Sequence, residues 1–295
     1  MPAFGCILCG STAEPELVQR EVKGDHQGRL AVVRCVRCGH VQMNPPVYSL
    51  EFYEADGQVR NVVQAYGTPM ETIVRHGWIE AERRARRCEE QGLLPASGGA
   101  AGGFRVLDVG GGYGLFGSEL ARRGEGVNVR VVEPSGLRVE QGRRFIEARA
   151  GAPQPEFEVG MVDDAFVAAH RGEYDLVTAW HVMEHVSEPV VFLRNLVELA
   201  KPGTGVVSVE VPNVEDELMA LSPAYRKRHF MVEHISYFSR HTLAMAARTL
   251  GGGVRAEVTG YQRYGIFNYF HWVHFDRPQG ENPDMFEGRD RWWLE

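Results

Sequence analysis

Four cysteines stand in two C-x-x-C pairs, Cys6 and Cys9 in "CILCG" and Cys35 and Cys38 in "CVRCG". Each pair is followed by a glycine, Gly10 and Gly39, which lets a tight knuckle turn its backbone N–H groups toward thiolate sulfur. Four thiolates at this spacing can close a tetrahedral Zn2+ site at about 2.3 Å per sulfur, leaving no position for water. Such a site is structural rather than catalytic, and supplies on the order of 10 kcal/mol of folding free energy. In a reducing compartment, pairs of this kind hold metal far more often than they form disulfides. A thioredoxin-type redox motif would open a helix after a strand, and neither pair does.

A second chemistry-bearing stretch is "VLDVGGGYG" (106–114). A strand ends at Asp108, the chain turns on Gly110, Gly111, Gly112 and Gly114, and a helix begins. Glycine lets backbone approach a ligand at the carboxyl end of a sheet, beside a helix N-terminus. The next strand ends "VVEP", which puts Glu133 where a carboxylate can accept both hydroxyls of a ribose. Together these point to an adenosine-bearing cofactor. The dinucleotide fingerprint G-x-G-x-x-G fails, since Leu115 stands where its third glycine belongs after Gly110 and Gly112. The spacing met is D-x-G-x-G-x-G, through Asp108, Gly110, Gly112 and Gly114. An acidic residue at the loop entrance would repel a pyrophosphate and suits an ammonium.

A third stretch, "DLVTAWHVMEHVSEPV" (175–190), contains His181, Glu184 and His185 at the H-x-x-E-H spacing of inverted zinc proteases. Those enzymes need both histidines on one helical face. Here "DLVTA" has the pattern of a buried strand, so His181 falls at a strand-to-helix junction. The peptidase reading is rejected. Glu184 and His185 are expected to start the next helix, capping and packing it.

The elements that must position these residues are legible in outline. Before the hinge "PASGGAAGG" (95–103), an amphipathic helix is expected from about Glu71 to Gln91. Val74, Trp78, Ala81, Ala85 and Cys88 recur there at steps of four and three, one buried stripe that makes Cys88 a core residue. The dense charge of "RHGWIEAERRARRCEE" reads as a solvated face. From Phe104 onward "RVLDVG", "VRVVEP", "PEFEVG", "YDLVTAW" and "GVVSVEVP" alternate with helical stretches, which means a parallel sheet covered by helices on both faces. "VRAEVTG" and "RYGIFNYFHWVHF" are expected to finish that sheet as an antiparallel hairpin. The fold class is α/β: a Rossmann-like, doubly wound, mostly parallel sheet with an antiparallel last strand and a small zinc-ribbon-like N-terminal module. Boundaries follow as a zinc-binding module over 1–46, a helical connector and hinge over 47–103, the Rossmann-like domain over 104–275 and a tail over 276–295.

Bulk properties bound the function. A formal charge of −7 argues against a polyanionic partner, because phosphate contacts need a surplus of Lys and Arg, so no nucleic acid is expected. No apolar run reaches the length of a membrane span, and "MPAFGCILCG" lacks the basic start of a secretory signal. The expectation is a cytoplasmic protein with no membrane partner; oligomeric state is not legible.

On the motif around Asp108 and on Glu133, the region from about Phe104 to Phe275 resembles the class I S-adenosylmethionine-dependent methyltransferases. That resemblance implies S-adenosyl-L-methionine as cofactor, with Asp163 of "GMVDDA" near the adenine amino group. Pro134 and Ala179 complete the implied cofactor-binding set. It also covers "VMEHV", a string of the type that follows the fourth strand of these enzymes, with His181 on the cofactor-binding rim. A second resemblance lies in "HFMVEHISYFSRHTL" (229–243). With the four-cysteine module, it is similar to zinc-containing C-methyltransferases of nucleotide-linked keto-deoxysugars, whose pattern is close to Y-H-E-H-L-S-Y-F-S. Glu233, His234, Ser236, Tyr237, Phe238 and Ser239 match; Met231 and Val232 replace the Tyr and His. This implies a small-molecule acceptor, a sugar-like or natural-product ketone. In it, His234 is the base, with Glu233 orienting it or binding substrate, and His181 and Tyr66 are polar donors. Histidine suits the base role because its ordinary pKa is near neutrality. An O- or N-methyltransferase of a small molecule or surface glycan, using the same cofactor site, is the alternative, and an RNA methyltransferase is a more distant one.

Overall fold

The computed structural model describes residues 4–47, 69–95 and 103–278, apart from His26, Glu125, Gly252 and Tyr264. They belong to two compact units. One comprises Met1–Tyr48, Met183–Leu193 and Val211–Glu295; the other comprises Ser49–Val182 and Arg194–Glu210.

The first unit is built on a four-stranded antiparallel sheet. Strands β1 (Glu16–Gln19), β2 (Ala31–Arg34) and β3 (Val41–Asn44) run in sequence order, and a late short strand, β9 (Ser236–Tyr237), adds to the free side of β3. The pairing sets Val41 opposite Tyr237 and Gln42 opposite Ser236. Val32, Val41, Met43, Phe230 and Tyr237 form its buried core. Burying each such side chain contributes roughly 1.5–3 kcal/mol. The Tyr237 hydroxyl is satisfied inside that core, accepting from the Met231 amide at 3.2 Å and donating to the Met231 carbonyl at 3.0 Å.

The second unit is a five-stranded, wholly parallel sheet. Its strands are β4 (Phe104–Val109), β5 (Val127–Glu133), β6 (Glu156–Val159), β7 (Leu176–Trp180) and β8 (Val206–Glu210), in the order β6-β5-β4-β7-β8. The strand order reverses beside β4, whose neighbours are β5 on one side and β7 on the other. In an open α/β sheet the ligand crevice lies outside the carboxyl ends at that switch point. The β-branched and leucine runs make a dry interior: Val106, Leu107, Val131, Leu176 and Val177 are buried. Helix α1 (Met70–Glu90) turns Ala81, Ala85 and Cys88 inward and packs on α2 (Leu115–Arg123), as the four-and-three spacing requires. Helices α3 (Gly136–Glu147) and α4 (Asp164–His170) are N-capped by Ser135 and Asp163, each accepting a backbone N–H of its first turn.

One expectation is overturned. Residues 254–260 carry no strand, and Ile266–Phe275 is a helix rather than the second arm of a hairpin. No antiparallel strand finishes the five-stranded sheet among the described residues. The run "IFNYFHWVHF" is mostly aromatic and aliphatic, and a short apolar-rich run has no period that separates a buried strand from a helix. Asn268 and Trp272, four residues apart, are its buried positions, which is helical spacing.

Candidate active site

The turn after β4 is shaped by alternation. Gly110, Gly112 and Gly114 have φ of 64°, 58° and 69°, whereas Gly111 between them is not left-handed. The three glycines of the D-x-G-x-G-x-G spacing are thus the three left-handed residues, a conformation that costs a side chain free energy. Close approach adds to this. A Cβ on Gly110 would lie 2.7 Å from the Val182 side chain, and one on Gly114 2.4 Å from Phe157. Gly114 also begins α2, its carbonyl accepting from the Ser118 amide at 2.9 Å.

Glu133, at the end of β5, is 3% exposed and holds this turn from the adjacent strand. Its Oε2 accepts from the Gly112 amide at 3.0 Å, and its Oε1 from the Ser135 amide at 3.1 Å. A carboxylate oxygen can accept twice, so binding the loop is compatible with accepting ribose hydroxyls. Asp108 lies under the same turn, 1% exposed, its Oδ1 accepting from the Thr178 hydroxyl at 2.8 Å. Burial pushes its carboxyl up to about 7, only partly offset by Thr178.

That shift has a measurable sign. The folded pKa lies above the unfolded value of about 3.9, so this group's contribution to stability is full below pH 4 and lost as pH rises through about 7. Asp108→Asn removes the dependence. The stability of the variant relative to the parent, from the denaturation midpoint, should rise between pH 5 and pH 8 by up to about 3 kcal/mol. A difference independent of pH would contradict the assignment.

The other expected cofactor residues lie in the strands or in the segments that follow them. Asp163 is exposed after β6, and its Oδ1 accepts from the Phe166 amide at 2.9 Å. Pro134 follows Glu133 directly and is half-buried. Ala179 is fully buried in β7, opposite Val109 of β4 and Val209 of β8.

His181 is the residue after β7, and it has a φ of 57°. A left-handed conformation at a non-glycine residue costs on the order of 1 kcal/mol or more and persists only where neighbours impose it. Here its amide donates to the Glu210 carbonyl at 2.9 Å, and its Nε2 lies 2.9 Å from Glu210 Oε1. Glu210 ends β8 and is 8% exposed. Arg84 and Arg87 of α1 reach the same carboxylate at 3.2 and 3.4 Å. Sequence reasoning missed this cluster. The arginines sit in the run read as a solvated face, yet their side chains are mostly covered. The available signal was "VSVEVP", a strand ending in a carboxylate as β5 does.

In the other unit, Met183–His185 is a single 3-10 turn, and α5 (Pro189–Leu199) begins four residues later. The segment 230–235 is stitched to the ribbon on two sides. Lys23 donates to the Phe230 carbonyl at 2.8 Å and accepts from the Val232 amide at 3.0 Å, while the Met43 amide donates to Ile235 at 2.9 Å. Ile235 in turn donates to the Glu184 carbonyl at 2.8 Å. His185 Nδ1 donates to the Glu233 carbonyl at 2.7 Å, and the His185 and His234 rings meet edge to face, 4.8 Å between centroids. Glu184, His185 and His234 thus converge, one ligand-type atom of each lying within 4.8 Å of the others. Tyr66 lies outside the described residues.

The four N-terminal cysteines converge as well. Cys6 Sγ lies 3.6 Å from Cys38 Sγ, and Cys9 Sγ 3.7 Å from Cys35 Sγ. A tetrahedron with 2.3 Å metal–sulfur bonds has edges of about 3.8 Å. The two knuckles repeat one backbone pattern. Gly10 donates to Cys6 and Gly39 to Cys35, while Cys6 donates to Ser11 and Cys35 to His40, all at 2.8–2.9 Å. Both glycines are left-handed. This donor set fits Zn2+.

Among the described residues no helix is long and apolar enough to cross a membrane. Over 101 residues the chain is 34% identical to a ubiquinone biosynthesis O-methyltransferase of Xanthomonas campestris pv. campestris, covering 34% of this chain and 40% of that protein. Among solved structures, magnesium protoporphyrin IX methyltransferase from Synechocystis PCC 6803, determined with bound SAH, aligns with a TM-score of 0.48 at 20% identity. That alignment covers 68% of this chain and 86% of that one. An O-methyltransferase family protein from Burkholderia thailandensis aligns with a TM-score of 0.42 at 19% identity, over 50% and 45%. Residues 79–254, more than half of the chain, match the family described as "Methyltransferase domain". The chain belongs to that family.

Proposed function

We propose that the glycine turn after β4 and Glu133 hold S-adenosylmethionine, and that the chain moves its methyl group to a small-molecule acceptor. The observation that carries this is the left-handed geometry at Gly110, Gly112 and Gly114, with Glu133 bound to the Gly112 amide. Glu133 accepts the ribose hydroxyls, Asp163 meets the adenine amino group, and Pro134 and Ala179 line the cofactor. Asp108 offers the loop a carboxyl that an ammonium would draw into its ionised form. The cofactor supplies an electrophilic methyl carbon on a sulfonium; in the transfer the C–S bond breaks as the new bond to the acceptor forms. What the protein adds is alignment and removal of the acceptor's proton. Four thiolates, from Cys6, Cys9, Cys35 and Cys38, hold a structural Zn2+.

The finer reading is methylation at a carbon α to a ketone, on a sugar-like or natural-product acceptor that is nucleotide-linked in the sugar case. His234 takes the α proton, Glu233 orients it or binds substrate, and His181 and Tyr66 act as polar donors. Support comes from the 229–243 motif and from the backbone bonds that fix the segment around His234. With a nucleotide-linked 4-keto-deoxysugar in D2O, His234 should catalyse exchange of the α hydrogen for deuterium. His234→Ala should slow both exchange and methylation by about 10^2–10^4-fold. Methylation without exchange, and at near-parent rate in His234→Ala, would remove the carbon-acid mechanism. That outcome favours O-methylation, the activity named in the Xanthomonas relative.

A further inference from the structure

We propose that Thr178 is a positioning residue that lets Asp108 give up its proton as the cofactor binds, so that the ammonium group of the ligand enters the site in exchange for a proton. The inference rests on the cofactor-binding reading of the glycine turn.

Asp108 belongs to the central strand of the parallel sheet and stands directly opposite Thr178 of β7. Both are buried, at 1% and 0% exposure. The two carboxyl oxygens have different surroundings. Oδ2 lies beneath the glycine turn, where a Cβ on Gly111 would be 2.4 Å from it, and has no hydrogen-bond partner among the described residues. Oδ1 lies 2.8 Å from Thr178 Oγ1, which is itself 3.3 Å from the Leu107 carbonyl oxygen. A hydroxyl has one proton to give and two lone pairs to accept with. Thr178 therefore serves Asp108 in both of its states. With Asp108 ionised, the hydroxyl donates to Oδ1. With Asp108 neutral, the proton sits on Oδ1, the oxygen that has an acceptor in reach, and is donated to Thr178 Oγ1, whose own proton turns to Leu107. Moving between the states breaks one O–H bond, and the proton passes to solvent.

A buried carboxylate with one oxygen unpartnered is costly, so the chain without ligand favours neutral Asp108 at mildly acid pH. Charges on the neighbouring elements leave that preference in place. Arg84 of α1 draws the carboxyl toward its ionised form, and Glu133 of β5 opposes it. Cys88 of α1 stays a neutral thiol, pushed up to about 12 by burial. A ligand ammonium beside the turn adds a positive charge, which favours ionised Asp108 and expels the proton.

Calorimetric titration of the full, zinc-replete chain with S-adenosylhomocysteine, repeated at pH 6.5 in buffers of different ionisation enthalpy, counts the protons released. Roughly half a proton or more per bound ligand is expected, falling by pH 8.5. Thr178→Val should raise the pH at which Asp108 ionises by about one unit, because the ionised carboxylate loses its donor. It should then bind about tenfold more weakly than the parent at pH 6, and within about twofold of it at pH 8.5. Thr178→Ser, which keeps the hydroxyl, should match the parent at both. Equal weakening of Thr178→Val at the two pH values would mean a structural role alone and overturns the proposal. Carbon NMR of labelled aspartate carboxyls follows Asp108 directly, with its signal assigned by loss in Asp108→Asn. Its midpoint should lie near neutrality in the free chain and fall with saturating S-adenosylhomocysteine. An Asp108 carboxyl already ionised at pH 5 in the free chain, or ligand binding without proton release, also overturns the proposal. Absence of ligand binding by a chain whose Asp108 titrates near neutrality overturns the cofactor reading beneath it instead.

Discussion

Replacing Glu133 with alanine is expected to weaken S-adenosylhomocysteine binding by about 100-fold or more. The side chain makes two kinds of contact at once. It holds the loop, through the amides of Gly112 and Ser135, and in the proposed complex it accepts the ribose hydroxyls. Hydrogen bonds to a charged group contribute about 1.5–3 kcal/mol each, and a buried amide left without its acceptor costs a further 1–3 kcal/mol. Loss of about 3 kcal/mol of binding is a factor of about 100. Glu133→Gln separates the two roles, because an amide oxygen can serve one of the two amides while its NH2 faces the other. Calorimetry on both variants checks this. An affinity within threefold of the parent in Glu133→Ala would place the ribose elsewhere.

The second large effect concerns the metal. A Cys35→Ser chain, or the parent chain stripped by a chelator, should lose the order of the ribbon. A four-thiolate zinc site supplies on the order of 10 kcal/mol, comparable to the whole stability of a typical domain. The sheet leaves little to replace it, with strands of four residues and one of two. Its loss should reach Ser236–Tyr237, which pair with β3, and through them the loop carrying His234, which bonds to Lys23 and Met43. Amide exchange at Val32, Val41, Met43 and Tyr237 should lose protection together, with β4 and β7 as the internal comparison. One zinc per parent chain by elemental analysis is the companion result. A metal-free chain with unchanged protection would deny the cysteines a structural role.

Much of the site could be read before the fold was known, for local reasons. The left-handed turn needs glycine at alternate positions, so its geometry is written in the spacing of Gly110, Gly112 and Gly114. Glu133 was legible as a candidate because it ends the strand beside the glycine turn, where its carboxylate meets the Gly112 amide. The four cysteines declare their partners by spacing alone. What escaped depended on contacts distant in sequence. Glu210 meets Arg84 across 126 positions, and no period in the run around Arg84 distinguishes an arginine aimed at a buried carboxylate from one facing solvent. The addition of Ser236–Tyr237 to the ribbon is likewise a long-range pairing, too short to carry a strand pattern. The helix at Ile266–Phe275 was misread because aromatic density outweighed a four-residue repeat seen only once, at Asn268 and Trp272.

The most direct test of the central claim is isothermal titration of the zinc-replete parent chain with S-adenosylmethionine and S-adenosylhomocysteine. Saturable binding of both at one site per chain, abolished by Glu133→Ala, is the predicted result. No heat with either ligand, from protein shown to be folded, would contradict it.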